Sequence, residues 1–301
     1  MGGYMKKFLY FLALAICFAF QFNLPNLNRR TKDTIKKTRQ NMPKKLKACK
    51  TLTQVEALLR EEEKEALEAI KQAFNISNKW WKEYIDEVNR SKHFFRSKYF
   101  KQSRHVYNHS LRNTDSTLYK QIVTVLKRYG INPYAIDIVY DKQFHEKHPN
   151  CPAYTVVAYT ETKNDAIEAT LSFFPEPKKS LLYTHCCTIA PLHECMHLWE
   201  VHSIQIQRLL SLLIHLGHIS LDLAEDQFYK HPMIMKWQKK LEKIADLLPL
   251  LKFKDHVHIK TMYEELLCGE ICYGSEIHPD NNELLPWVLK IKEIMGIKDT
   301  K

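Results

Sequence analysis

The segment His193-Glu194-Cys195-Met196-His197 is the part of this sequence best equipped for chemistry. It has the form H-E-x-x-H. On a helix, positions i and i+4 lie one above the other, so the two imidazoles share a face. Placed that way they can grip one zinc ion at about 2.0–2.1 Å. Glu194 stands three residues before His197 and so borders the same face, where its carboxylate can reach a water on the metal without taking a metal position. Zinc brings the pKa of such a water to about 7, and a carboxylate that removes its proton readies it to attack a carbonyl. The expected chemistry is hydrolysis, with Zn2+ as cofactor, His193 and His197 as ligands and Glu194 as general base.

Such a motif works only if neighbouring elements hold it. Its flanks Ile189, Ala190, Leu192, Leu198 and Trp199 are apolar, which predicts a buried helix. A buried helix carrying two histidines and a glutamate needs partners for them. Three short β-branched or aromatic runs precede it and read as strands: 136–140, 154–159 and 167–174. Ahead of them, Thr51 or Thr53 can cap a helix through residue 74, and an aromatic-rich helical stretch follows from Trp80 to about Tyr99. Its Trp80, Trp81, Phe94 and Phe95, with Phe100 beyond, read as packing residues. A further helix over Ser116–Arg128 ends at Gly130. After the strands, helices are expected at 188–215, 221–229, 232–247, 256–275 and 283–295. The fold class is α+β: mostly helical, with a small mixed sheet packed on the motif helix and a helical N-terminal region. The expected domains are 1–28 as a signal sequence or short anchor, 29–50 as a basic linker, 51–130 as a helical region and 131–301 as the domain carrying the motif.

The strand IEATLSFF, a turn and then LHECMHLWE resemble the active-site strand and helix of the zincin metallopeptidases, over roughly residues 150–275. The resemblance implies a zincin-like fold and peptide-bond hydrolysis, with a substrate strand pairing along an edge strand, taken as 167–174. In the metzincin subgroup a Gly and a His follow the second histidine at fixed spacing. Here those positions are Glu200 and Ser203, and His202 falls one residue short. In the gluzincin subgroup the third ligand is a glutamate on a later helix. That glutamate often opens an E-x-x-x-D stretch with a small residue before the Asp. The resemblance therefore implies Glu265 as third ligand, with Cys268 as the small residue and Gly269 where the Asp is wanted. The missing Asp would remove a partner for a histidine ring, a place that Glu270 is near enough in sequence to take. Glu264 and Glu225 are the alternative ligands. Tyr263, Tyr273, His256, His258 and His278 are candidates to stabilise an oxyanion.

The eight cysteines include no C-x-x-C pair, so zinc-ribbon spacing is absent. Cys195 and Cys268 are read as fillers near the metal rather than ligands, because a catalytic site keeps one position open. The formal net charge of +11 resembles a nucleic-acid signal until it is located. Lys6 and Lys7, together with ten basic residues against Asp33 in 29–50, account for all of it, so 51–301 is neutral. Nucleic acid is therefore not an expected partner. The apolar run Phe8–Phe22 behind Lys6 and Lys7 has the form of a signal sequence or a short anchor. Export or membrane association through 8–22 and the basic stretch 29–50 follows, with a protein or peptide as substrate. The rival readings are a non-catalytic, zinc-binding, membrane-tethered interaction module and a cytosolic protease acting on nucleic-acid-bound proteins.

Overall fold

A computed structural model describes residues 32–96, 110–143, 153–160, 166–173, 190–255, 259–268 and 279–297. The N-terminal run 1–28 lies outside the described residues. Among those described, no helix is long and apolar enough to cross a membrane. The chain divides into two compact units.

The first unit spans Lys71–Ile234 and carries the motif. It contains helices α4 (Asn78–Arg96), α5 (Ser110–Thr114) and α6 (Ser116–Arg128), strands β1 (Asp137–Val139), β2 (Ala153–Thr160) and β3 (Ala166–Phe173), and helices α7 (Ala190–Glu200) and α8 (His202–His215). Asp115 starts α6 by accepting from the Thr117 and Leu118 amides at 3.0 Å each. Gly130 ends it with a φ of 73°, a left-handed geometry that glycine adopts without steric cost. The sheet is mixed, in the order β1-β3-β2. β3 runs parallel to β1 and antiparallel to β2, so that Leu171 lies opposite both Ile138 and Thr155.

That order corrects one expectation. The sequence pattern places the edge at 167–174, yet β3 is the central strand, and among the described residues β1 and β2 form the edges. The physical reason is the parallel pairing with β1, a three-residue strand more than 25 positions earlier that no local pattern ties to β3. Against the sheet, α7 packs on β2, on α6 and on α4, while α8 packs on α4 and β2. In α7 every residue from Ala190 to Leu198 is buried, as the apolar flanks predicted.

A single helix over 188–215 was also expected. The structure breaks it at Val201, whose φ of 51° is left-handed, and the chain restarts as α8. A β-branched residue is a rare occupant of that region. Val201 is fully buried there, and its amide donates to the Leu198 carbonyl at 3.1 Å.

The second unit comprises Ala19–Ile70 and Met235–Lys301. Its helices are α1 (Lys32–Gln40), α2 (Lys44–Ala48), most of α3 (Leu52–Ala73), most of α9 (Pro232–Lys252), α10 (Ile259–Cys268) and α11 (Asn281–Ile294). Thr51 caps α3 through the Gln54 amide at 3.2 Å while the Gln54 side chain accepts from the Thr51 amide, a reciprocal capping box. The basic stretch is more than a solvated linker in its described part. It forms α1 and α2, and it buries Leu46 completely and Met42 nearly so. Glu62 on α3 accepts from Lys243 at 2.7 Å and Lys240 at 3.1 Å on α9. Burial opposes the charge of Glu62, but the two ammonium groups together hold its carboxyl below the usual range. Lys243 also lies 4.1 Å from the centroid of the Trp287 ring.

Candidate metal centre

The motif residues sit one turn apart on α7, which turns both rings to one side. His193 Nε2 and His197 Nε2 are 2.9 Å apart, with the ring centroids 4.6 Å apart. Two ligands on one tetrahedral ion at about 2.05 Å stand about 3.3 Å from each other. The pair is therefore within a few tenths of an ångström of the span that one zinc ion requires.

His193 and His197 are both buried, and their two Nε2 atoms face one another as a pair of imidazole donors that can hold a metal ion. Catalytic zinc sites take three protein ligands and keep a fourth position for water or substrate, and two imidazoles on one helix face supply two of the three. The two histidines thus fit a metal in kind and spacing.

Glu242 opens a further acidic stretch that the choice of Glu265, Glu264 and Glu225 passed over. Glu242-Lys243-Ile244-Ala245-Asp246 is an E-x-x-x-D stretch with a small residue before the Asp, the pattern that the zincin resemblance implies for a third ligand. It was obscured by its setting: the surrounding lysines make α9 look like a solvated charged helix, yet Glu242, Lys243 and Asp246 are all buried. Glu265 lies on α10, and its side chain is outside the described residues. Glu264 is exposed and pairs loosely with Lys260 at 3.8 Å, as a surface carboxylate does. The side chain of Glu225 also lies outside the described residues.

Glu194 is buried, and the Thr155 hydroxyl donates to its Oε2 at 2.5 Å. That hydroxyl is 3.1 Å from the Glu194 carbonyl as well. Thr155 comes from β2, whose contact with α7 sets the carboxylate's direction. The sequence reading passed over Thr155 because a threonine in a strand carries no chemical signal by itself. Beside it, Cys195 is a buried free thiol. Burial, and then the neighbouring Glu194 charge, push its pKa well above the usual value, which suits a filler rather than a ligand. Cys268 is in α10 with its side chain outside the described residues.

The break at Val201 adds a third imidazole. His202 opens α8 and is buried, with its Nδ1 2.8 Å from His197 Nδ1. Farther out on α7, buried Glu200 pairs with Lys92 of α4 at 3.3 Å. The Tyr129 hydroxyl donates to the Leu192 carbonyl at 3.3 Å and ties α6 to the start of the motif helix. Of the oxyanion candidates, Tyr263 is buried and its hydroxyl is 2.9 Å from Met295 Sδ, with burial raising its pKa. Tyr273, His256, His258 and His278 lie outside the described residues.

Comparison with family models, with curated proteins and with solved structures gave no match to this chain.

Proposed function

We propose that this protein is a zinc-dependent metallopeptidase of gluzincin type. His193 and His197 would hold the ion, the E-x-x-x-D stretch that Glu242 opens makes Glu242 the third ligand in this reading, and Glu194 would act as general base. One observation carries the reading: a buried pair of imidazoles, with Nε2 atoms 2.9 Å apart, on an H-E-x-x-H helix whose Glu194 is buried beside them. Bound there, zinc supplies a Lewis acid and lowers the pKa of water.

The chain's own residues do the rest. Thr155 donates to one oxygen of the Glu194 carboxylate and leaves the other to accept a proton. Glu194 takes a proton from water as that water attacks the scissile carbonyl, and then gives it to the leaving amine. Burial of α7 keeps bulk solvent from competing for these groups. The substrate would be a peptide or protein. Residues 8–22 and 29–50 would export the chain or hold it at a membrane.

The test measures zinc content and cleavage of an unstructured protein side by side. The wild type should bind one zinc and cleave. Glu194→Gln should keep the zinc and lose at least 100-fold in rate, in line with the usual size of general-base contributions. Glu242→Gln should lose zinc, whereas Glu265→Gln should keep it. The reverse pattern would assign the third ligand to Glu265. Zinc bound by the wild type without cleavage of any substrate in a broad panel would favour the non-catalytic zinc module instead.

A further inference from the structure

We infer that His202 is a positioning residue that fixes the tautomer of His197. It would do so as a neutral acceptor at the place where a carboxylate or carbonyl more commonly stands. The inference rests on the zinc site proposed above, but its geometry is independent of any metal.

The argument is one of proton counting. A neutral imidazole carries one N–H and one lone pair. His197 faces His193 through Nε2 at 2.9 Å and His202 through Nδ1 at 2.8 Å. If His202 donated at its Nδ1, His197 would accept at Nδ1 and carry its proton on Nε2. That Nε2 could not bind a metal. If His202 accepts at Nδ1, His197 carries its proton on Nδ1 and turns the Nε2 lone pair towards His193. Only the second arrangement is competent for a ligand. Ligand histidines are usually fixed by such a contact on the ring nitrogen that does not meet the metal.

The backbone explains why a histidine can serve here. Had α7 continued straight through Val201, His202 would stand five residues beyond His197, about 140° round the helix and away from its ring. The left-handed Val201 redirects the chain, and the rings of His197 and His202 meet with centroids 4.9 Å apart at 76°. Burial of both residues keeps water from replacing the contact.

Asparagine and aspartate place Oδ1 at the same side-chain depth as His Nδ1, whereas leucine places a methyl there. The experiment therefore compares wild type, His202→Asn, His202→Asp and His202→Leu in the full chain. Zinc affinity is read by competition with a chromophoric chelator. The His197 tautomer is read by nitrogen-15 NMR of the metal-free protein. The wild type should show the proton on Nδ1. His202→Leu should bind zinc about 10–100-fold more weakly, the usual cost of losing such a partner. His202→Asn should stay within about threefold of wild type, and His202→Asp should bind at least as tightly as His202→Asn, because an anionic acceptor makes the ring a stronger ligand. Should His202→Leu not fold, the order of the Asn and Asp variants carries the test. A proton on Nε2 in the wild type, or equal affinity in the Leu and Asn variants, overturns the role of His202 alone. Absence of zinc binding by the wild type overturns the site itself and this inference with it.

Discussion

Thr155 and Glu194 show how much of the candidate site rests on a single side-chain bond. A buried carboxylate that loses its donor bears a desolvation penalty that a bond to water does not relieve. Thr155→Val keeps the shape and removes the hydroxyl, so it should destabilise the protein by about 1–3 kcal/mol in a urea titration. Thr155→Ser, which restores the hydroxyl, should recover most of that. Equal stability of the Val and Ser variants would show that the bond contributes little. At this scale the motif was legible, because His193, Glu194 and His197 declare their chemistry by type and spacing. Thr155 and His202 were not. A hydroxyl in a strand and a histidine at an unrewarded spacing acquire meaning only through the strand pairing and the chain reversal that place them.

Elements were read best where local chemistry punctuates them. Helix α6 was placed at its observed bounds, Ser116–Arg128, since Gly130 ends it and polar residues open it. The break between α7 and α8 went unread because Val201 is the kind of residue that favours the opposite side of backbone space. Tertiary burial holds it there, and burial is not a local property. Strand existence was legible while strand order was not, as the central position of β3 shows. The basic stretch teaches the same lesson from the other side. Its charge count suggested a solvated linker, yet amphipathic α2 seats Leu46 with no exposed surface. Leu46→Ala should therefore cost about 2–5 kcal/mol, as a truncation in a packed core does. Thermal or urea unfolding would measure it, and a change below about 0.5 kcal/mol would return the stretch to the status of a linker.

For the molecule as a whole, a metal that binds only the folded chain must stabilise it by mass action. At a free zinc concentration 100 times the dissociation constant, the gain is about 2.7 kcal/mol. Chelator should lower the unfolding midpoint of the wild type and leave that of His193→Ala unchanged. The same midpoint with and without zinc in the wild type would be incompatible with the proposed site. The charge distribution belongs to this scale too. The whole excess of +11 is confined to the first fifty residues, and residues 51–301 are formally neutral.

Among the described residues two thiols are buried, Cys49 in one unit and Cys195 in the other, and they give the protein a pair of built-in clocks. Burial raises the pKa of each, so neither is readily a thiolate while its surroundings stay closed. An alkylating reagent can tag them only during excursions that open the chain around them. The rate at which each acquires its tag, read by mass spectrometry, times the breathing of its own unit without any added label. Cys195, embedded between Glu194 and Met196, would report that motion from inside the motif itself.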